Sequence, residues 1–203
     1  MRIIRIDPFS QPLAVNAIAI AYQQAFGGDP WNEGFSCPIC KAIFPRTGNL
    51  TMCPECEKRS ESILLVDAWP MNQIISDFYA EMKKDDSICI VAKINKHIVG
   101  FAWGYQVSAN PDLDSYLDAP GVHASLQGTF FYLDECALIP SYQGKGIGKK
   151  LVQHIFREQE EGQILLRTLN NSRMQRIIKG AGGAVIQHIS RERVIMKLTL
   201  PSC

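Results

Sequence analysis

The chain of 203 residues contains no apolar run long enough to cross a bilayer. Its longest apolar helical stretch, residues 13–26, is broken by Asn16, Gln23 and Gln24, whereas a spanning helix needs about 20 mostly apolar residues. The start carries neither the basic stretch nor the cleavage site of a secretory leader, so a cytoplasmic location with no membrane partner is expected. Charge of one sign is missing too. Against 21 Lys and Arg stand 20 Asp and Glu, a net of +1, which gives no global pull toward nucleic acid or an anionic surface. Repeats and low-complexity tracts are absent. The seven cysteines cannot all pair, and four of them form two Cys-x-x-Cys pairs. That usage excludes a disulfide frame as the organising device and points to metal and free thiols in a reducing compartment.

What is present is an ordinary globular balance, 46% apolar and 20% charged, sufficient for one core in a single domain spanning 1–203. Residues 2–6 read as a strand and 12–26 as a helix stopped by Gly27-Gly28-Asp29-Pro30. Residues 31–66 change character, becoming rich in cysteine, proline and turns, and are read as an insertion. A helix resumes near Pro70 with Ile74, Phe78 and Met82 on one side. Strands 87–94 and 97–107 turn through Asn95-Lys96. The polar connection 108–127 carries Asp112, Asp114, Asp118 and His123, and is either a functional loop or a locally ordered helix. Its acids hint at a cationic substrate. Strand 130–139, a helix ending near Gly162, strand 164–168, and a helix to Lys179 capped by Asn170 or Asn171 follow. A hairpin of 184–189 and 194–200 closes the chain and offers an edge for a homodimer.

Between strand 130–139 and its helix lies the most informative stretch. Pro140 ends the strand, Gly144, Gly146 and Gly148 follow, and Ile147, Leu151, Val152, Ile155 and Phe156 then fall on one helical face. Strand, glycine turn and helix start make an anion cradle, because first-turn amides lack partners within the helix and the dipole adds positive potential. Lys145, Lys149 and Lys150 add mobile charge around it. A P-loop is excluded, since Gln143 stands where its first glycine would be and Lys150 where its Ser or Thr would be. A dinucleotide fingerprint is excluded by Lys149 in place of the third glycine.

What fits is Gln-x-x-Gly-x-Gly, spelled by Gln143, Gly146 and Gly148, preceded by Glu-x-x-Leu-x-Pro from Glu135 to Pro140. On these motifs the chain resembles the Gcn5-related N-acetyltransferase (GNAT) superfamily, over nearly everything except the insertion. The resemblance implies an α/β (α+β) fold with a mixed, mostly antiparallel central sheet flanked by helices. It implies acetyl-CoA as co-substrate, held by Cys136, Ala137 and Leu138 on the strand, by Gln143, Gly144, Lys145, Gly146, Ile147, Gly148 and Lys149 at the turn, and by Asn171. It further implies transfer of acetyl to a primary amine by direct attack in a ternary complex, the acceptor being a small molecule or peptide.

An oxyanion donor is expected at the Leu138 or Ala137 amide, and a general base at Glu135 with Asp134 as second choice. Neighbours on a strand point to opposite faces, so at most one of these two carboxylates should face the thioester. The family's tyrosine acid is replaced by Ile178, leaving Tyr132, Tyr142 or water for that step. The alternative reading is a non-catalytic acyl-CoA-binding module whose insertion recruits a protein or nucleic-acid partner. Cys136 in the cofactor strand reads as a small buried hydrophobe. Trp31 and Glu33 follow the first helix, where the resemblance places the acceptor.

Cys37, Cys40, Cys53 and Cys56 supply two Cys-x-x-Cys knuckles separated by twelve residues. Four thiolates satisfy tetrahedral Zn²⁺ completely and leave no open position, so a structural zinc ribbon is expected, with a rubredoxin-like iron site as the alternative. Lys41, Arg46 and Lys58 are its only bases across 35–58, too few to support a nucleic-acid partner. The resemblance implies that the region between the first two helices forms part of the acceptor-side wall, so a ribbon there is expected to shape the substrate pocket.

Overall fold

The computed structural model describes residues 1–28, 31–46, 50–57, 62–159 and 161–201; Asp29, Pro30 and Lys58 of the features above lie outside them. Ten strands and six α-helices are described. They are β1 (Arg2–Ile6), α1 (Pro12–Phe26), β2 (Phe35–Ser36), β3 (Ile43–Phe44), α2 (Pro54–Glu57), β4 (Val66–Asp67), α3 (Met71–Met82), β5 (Ile88–Ile94), β6 (His97–Ser108) and α4 (Asp112–Leu117). After these come β7 (Thr129–Leu138), α5 (Ile147–Gln159), β8 (Gly162–Leu169), α6 (Arg173–Gly180), β9 (Ala184–His188) and β10 (Arg193–Leu200).

Seven strands form one sheet in the order β1-β5-β6-β7-β8-β10-β9, and β2, β3 and β4 form a separate small sheet. Every neighbouring pair of the large sheet is antiparallel except β7 with β8. The fold is therefore the mixed, mostly antiparallel sheet flanked by helices that the sequence led us to expect. Strand β6 is buried along nearly its whole length, and its run Ile-Val-Gly-Phe-Ala-Trp-Gly-Tyr lacks polar alternation because both of its faces are covered.

Three apolar clusters cover the sheet. On one face α5 and α6 set Ile147, Leu151, Val152, Ile155 and Ile178 against Ile90, Phe131, Leu133 and Met196. On the other, α1 and α3 set Ile18, Tyr22, Phe26, Ile74 and Phe78 against Val91, Phe101 and Trp103. The third is made by the 108–127 connection, which is ordered. Leu113, Leu117, Val122 and Leu126 bury Tyr105, Phe130, Tyr132 and Leu165. Asp114 accepts from the Gly121 and His123 amides, and Asp118 lies 3.8 Å from Arg167. Two of the three aspartates thus fasten the connection itself.

Helix α6 is capped by Ser172, whose Oγ accepts from Gln175 N at 3.0 Å. Neither Asn170 nor Asn171 is the cap. Asn171 instead takes a left-handed conformation (φ 60°), and its amide donates to the Gln175 side chain.

Two irregularities in β7 create the site. The first is a bulge. Trp103 pairs with Glu135 but Gly104 pairs with Leu133, so Asp134 is the extra residue. A Cβ at Gly104 would lie within about van der Waals overlap of the Tyr132 carbonyl and the Phe131 ring, so only glycine fits opposite the bulge. The second is a splay. Strands β7 and β8 are paired at Phe131–Ile164 and Tyr132–Leu165 only, and beyond these they part.

Candidate active site

Past Tyr132, one edge of β7 faces an open slot instead of β8. Ile139 N donates to Val99 O at 3.0 Å, and antiparallel ladders alternate which amides face the partner. By that alternation the Ala137 amide turns toward β6, whereas those of Cys136 and Leu138 turn into the slot. The side chains from Asp134 to Leu138 are all partly exposed there.

At the end of the slot stands the glycine turn. Gly144 and Gly146 both have φ of +76°, a region that a side chain disfavours, and a Cβ at either would project into open space. The turn is pinned by its own polar groups. Gln143 Nε2 donates to Leu138 O at 3.3 Å, and Lys145 Nζ donates to Ser141 O at 2.9 Å. Arg173, at the start of α6, reaches from the other side to Gln143 Oε1 at 3.3 Å. The first backbone bond at the start of α5 runs from Lys150 N to Gly146 O. The amides of Ile147, Gly148 and Lys149 precede it and have no carbonyl one turn back, so they are free for an anion. Lys145, Lys149 and Lys150 are exposed around them. Asn171 sits exposed at the turn before α6.

The opposite flank is acidic and aromatic. Because of the bulge, Leu133 and Cys136 pack toward α5, which leaves Asp134 and Glu135 together on the α1/α3 side. The expectation that they point to opposite faces is therefore wrong here; the extra residue cancels one step of the strand alternation. Glu135 Oε1 accepts from Tyr22 Oη at 3.2 Å and Asp134 Oδ2 from Tyr105 Oη at 3.2 Å. Glu81 of α3 shares a hydrogen bond with Asp134 and accepts from Trp103 Nε1 at 2.6 Å. Glu135, Glu81, Tyr22, Trp69, Phe78 and Trp103 line a cavity of about 70 Å³. A larger depression, about 250 Å³, lies beyond Tyr105, where the Lys84 ammonium rests 3.6 Å from the Tyr105 ring centroid and 4.6 Å from that of Tyr116.

Crowding of carboxyls in a poorly solvated place sets their protonation. Burial first, then the Asp134 and Glu81 charges, hold Glu135 well above the usual carboxylate range, against the Tyr22 hydroxyl. Glu81 is pushed up to about 8 by burial and by Asp134. Asp134 is raised by burial despite its bonds to Glu81 and Tyr105. A carboxylate whose proton affinity is raised in this way suits proton abstraction from an ammonium better than an ordinary carboxylate does. Cys136 is pushed up to about 12 by burial and by Glu135, which keeps it a thiol and not a nucleophile. Ile178, expected from sequence at the tyrosine's position, is fully buried in the core.

In the insertion, Cys37, Cys40, Cys53 and Cys56 converge, their sulfurs all within 4.8 Å of one another. Cys37–Cys56 and Cys40–Cys53 sulfurs are 3.6 Å apart, so none is disulfide-bonded. A tetrahedron of sulfurs at about 2.3 Å from zinc has edges of roughly 3.8 Å, which the cluster matches. Each knuckle turns an amide onto its first sulfur, Cys40 N to Cys37 Sγ at 3.5 Å and Cys56 N to Cys53 Sγ at 3.4 Å. Burial opposes ionisation of Cys37, but the Cys40 and Ile39 amides and neighbouring thiols bring it down to about 6. These four thiols can hold a tetrahedral ion.

The site residues named from sequence thus fall into three places, the glycine turn, the splayed half of β7 and the cysteine cluster, with Asn171 apart from them at the turn before α6. Reading the sequence did not find Tyr22, Glu81, Trp69 or Arg173. Each reaches the site from an element distant in the chain, and no local motif marks it.

A profile of the acetyltransferase (GNAT) family matches residues 55–182. No curated protein matches the chain in sequence. Among solved structures, arylalkylamine N-acetyltransferase 2 from Aedes aegypti aligns with a TM-score of 0.58 at 11% identity, covering 98% of this chain and 99% of that one. The ribosomal-protein-S18-alanine N-acetyltransferase from Escherichia coli aligns at 0.54 with 14% identity, over 100% and 95%. Salmonella typhimurium yncA, solved with its cofactor acetyl-CoA, aligns at 0.53 with 14% identity, over 100% and 95%. These likenesses are of fold. No described helix is long and apolar enough to cross a membrane. The family profile spans more than half of the chain, including the splayed strand, the glycine turn and α5, and the chain belongs to the acetyltransferase (GNAT) family.

Proposed function

We propose that this protein is an acetyl-CoA-dependent N-acetyltransferase acting on a primary amine of a small molecule or peptide by direct attack in a ternary complex. The observation that carries this reading is Glu135. It is a carboxyl whose hold on a proton is raised by burial and by the Asp134 and Glu81 charges, beside an open slot whose far end is an anion cradle. The α5 amides and Lys149 would take the pyrophosphate, and the splayed edge of β7 would take the pantetheine. Glu135 takes a proton from the incoming ammonium, directly or through water. The freed nitrogen lone pair forms the new C–N bond at the thioester carbon. The Leu138 amide, turned into the slot, donates to the oxygen that gains charge. The attacking nitrogen then sheds its second proton to solvent, the C–S bond breaks, and the thiolate acquires a proton. Tyr132 is walled into the third cluster, leaving the partly exposed Tyr142 or solvent as donor. The four cysteines would hold structural Zn²⁺ in a closed site.

Ile178 in the tyrosine's place is the one observation favouring a second reading, in which the fold binds acyl-CoA without turnover. Acetyl-CoA titration by calorimetry, a thiol-release screen against mixed amines, and metal content of the same preparation decide between them. Binding with thiol release for one amine class, and one zinc per chain, is the expected result. Binding with no release across mono-, di- and polyamines, aminoglycosides and amino-terminal peptides supports the second reading. No binding overturns both.

A further inference from the structure

The cysteine cluster and the acceptor cavity share one ladder. Strand β2 pairs with β4 as Phe35–Asp67 and Ser36–Val66. Extended outward, the same register sets Gly34 opposite Ala68, and Ala68 N does donate to Gly34 O at 3.2 Å. One step further it sets Glu33 opposite Trp69, and Trp69 Nε1 does donate to Glu33 Oε2 at 3.0 Å. In the inward direction the residue that follows β2 is Cys37, fully buried. About 13 Å of extended chain, four residues at ~3.3 Å each, therefore joins a cysteine ligand to Glu33.

The outer end of the ladder is built into the cavity. Trp69 lines it, packs edge-on against Tyr22 with centroids 5.3 Å apart, and its carbonyl accepts from Gln23 Nε2 at 2.7 Å. Tyr22 in turn donates to Glu135. Burial raises the Glu33 carboxyl, against the Trp69 indole N–H that donates to it, and its charge reaches both Tyr22 and Glu135. Yet the small sheet has little apolar core of its own, and beyond its backbone bonds it is held by Arg46, which pairs with Asp67 at 2.7 Å and lies over the Phe35 ring, an ion pair that is half exposed. Its strands are two residues long, and its core is the four cysteines with Phe44, Ile63 and Leu65. A sheet of that size needs a staple.

We infer that a metal ion in the four-cysteine cluster positions Glu33 and Trp69 as acceptor-selecting residues, so that metal occupancy sets amine recognition without touching acetyl-CoA binding. This rests on the acetyltransferase reading for its kinetic consequence but not for its structural one. The full chain would be stripped with a chelator under reducing conditions and compared with zinc-restored protein by hydrogen exchange, acetyl-CoA calorimetry and kinetics. Expected after stripping is loss of amide protection at 32–36 and 64–70 with α5 unchanged. Acetyl-CoA affinity should stay within about twofold, and the amine KM should rise by about tenfold or more, reversed by zinc.

Exchange changes confined to 37–57, or an unchanged amine KM, would overturn the inference. If no amine is turned over even with zinc bound, the acetyltransferase reading fails, and the exchange pattern at 66–70 still decides the coupling. Glu33→Gln and Trp69→Phe leave all four cysteines in place and guard against a merely unfolded ribbon. Each should raise amine KM about three- to tenfold with kcat within about twofold. Unchanged KM in both variants would equally refute the roles assigned to them.

Discussion

The glycine turn and the acceptor flank border the same half of β7, but they are held by different kinds of contact. The turn is local. Gln143 ties back to Leu138, Lys145 to Ser141 and Lys150 to Gly146, all within a few residues, and two positive-φ glycines set its shape. The acceptor flank is assembled at long range. Tyr22 of α1, Glu81 of α3, Trp69 beyond the ribbon and Glu135 of β7 come from four separate stretches of chain. A local device keeps its geometry when distant elements shift. A long-range one can be tuned, or broken, from far away. The phosphate end should therefore respond to point changes in the turn alone, and the acceptor flank to changes anywhere along its supports.

The sharpest way to separate the two is at the carboxylate. Glu135→Gln keeps the shape and the bond from Tyr22 but cannot take a proton. It should lower kcat by roughly 10²–10⁴, the range of general-base contributions, with acetyl-CoA affinity unchanged by calorimetry. The wild-type kcat/KM should climb with pH as Glu135 ionises, and its acid limb should stand above the usual carboxylate range because burial and the Asp134 and Glu81 charges raise that group. The variant should lose this limb. Full activity of the variant across pH would remove Glu135 from the mechanism.

The converse change is Gly146→Val. At φ +76° a β-branched residue is strained, and its methyls would enter the space an anion needs. Acetyl-CoA affinity should fall by about 100-fold, while stability drops only by the backbone strain of about 1–3 kcal/mol, since the added Cβ meets nothing in the protein. Unchanged affinity would mean that the cradle is not the pyrophosphate site.

The same division explains what could be read from the chain. The main elements, the glycine turn and the four-sulfur cluster each follow from neighbours in sequence, Gly144 and Gly146 in one turn, Cys37 with Cys40 and Cys53 with Cys56 at knuckle spacing, whereas the mixed sheet was implied only by the family resemblance. The bulge at Asp134 could not be read. Its cause is the pairing of Gly104 with Leu133, a cross-strand event, and it turned an expected opposition of two carboxylates into adjacency. The cap of α6 was misplaced for a smaller reason. Three consecutive residues, Asn170, Asn171 and Ser172, are all good caps, and the bonding of Gln175 to each of them selects Ser172. Glu81 carried no motif at all; only the packing of α3 on β6 brings it to Asp134.

Glu81 also gives the smallest effect and the finest test of how the acceptor flank is held. Its neighbours are Asp134, with which it shares a hydrogen bond, the charges of Glu135 and Lys84, and the Trp103 indole. In the folded protein it ionises at about 8, against 4.5 for a free glutamate, because burial and Asp134 oppose its charge. A folded state that holds a proton more tightly than the unfolded one gains stability below the unfolded value and loses it as pH rises through the folded value. The wild type should therefore lose thermal stability between about pH 4.5 and 8. Glu81→Gln is neutral throughout and can still accept from Trp103, so it should lose less. Solvent reaches Glu81, which reduces the difference to about 1 kcal/mol, or roughly 2–4 °C in Tm at pH 8–9 for a chain of this size. Tm values that fall in parallel for both proteins over this range would show that Glu81 is not holding its proton, and that the carboxyls of this flank are less crowded than their positions imply.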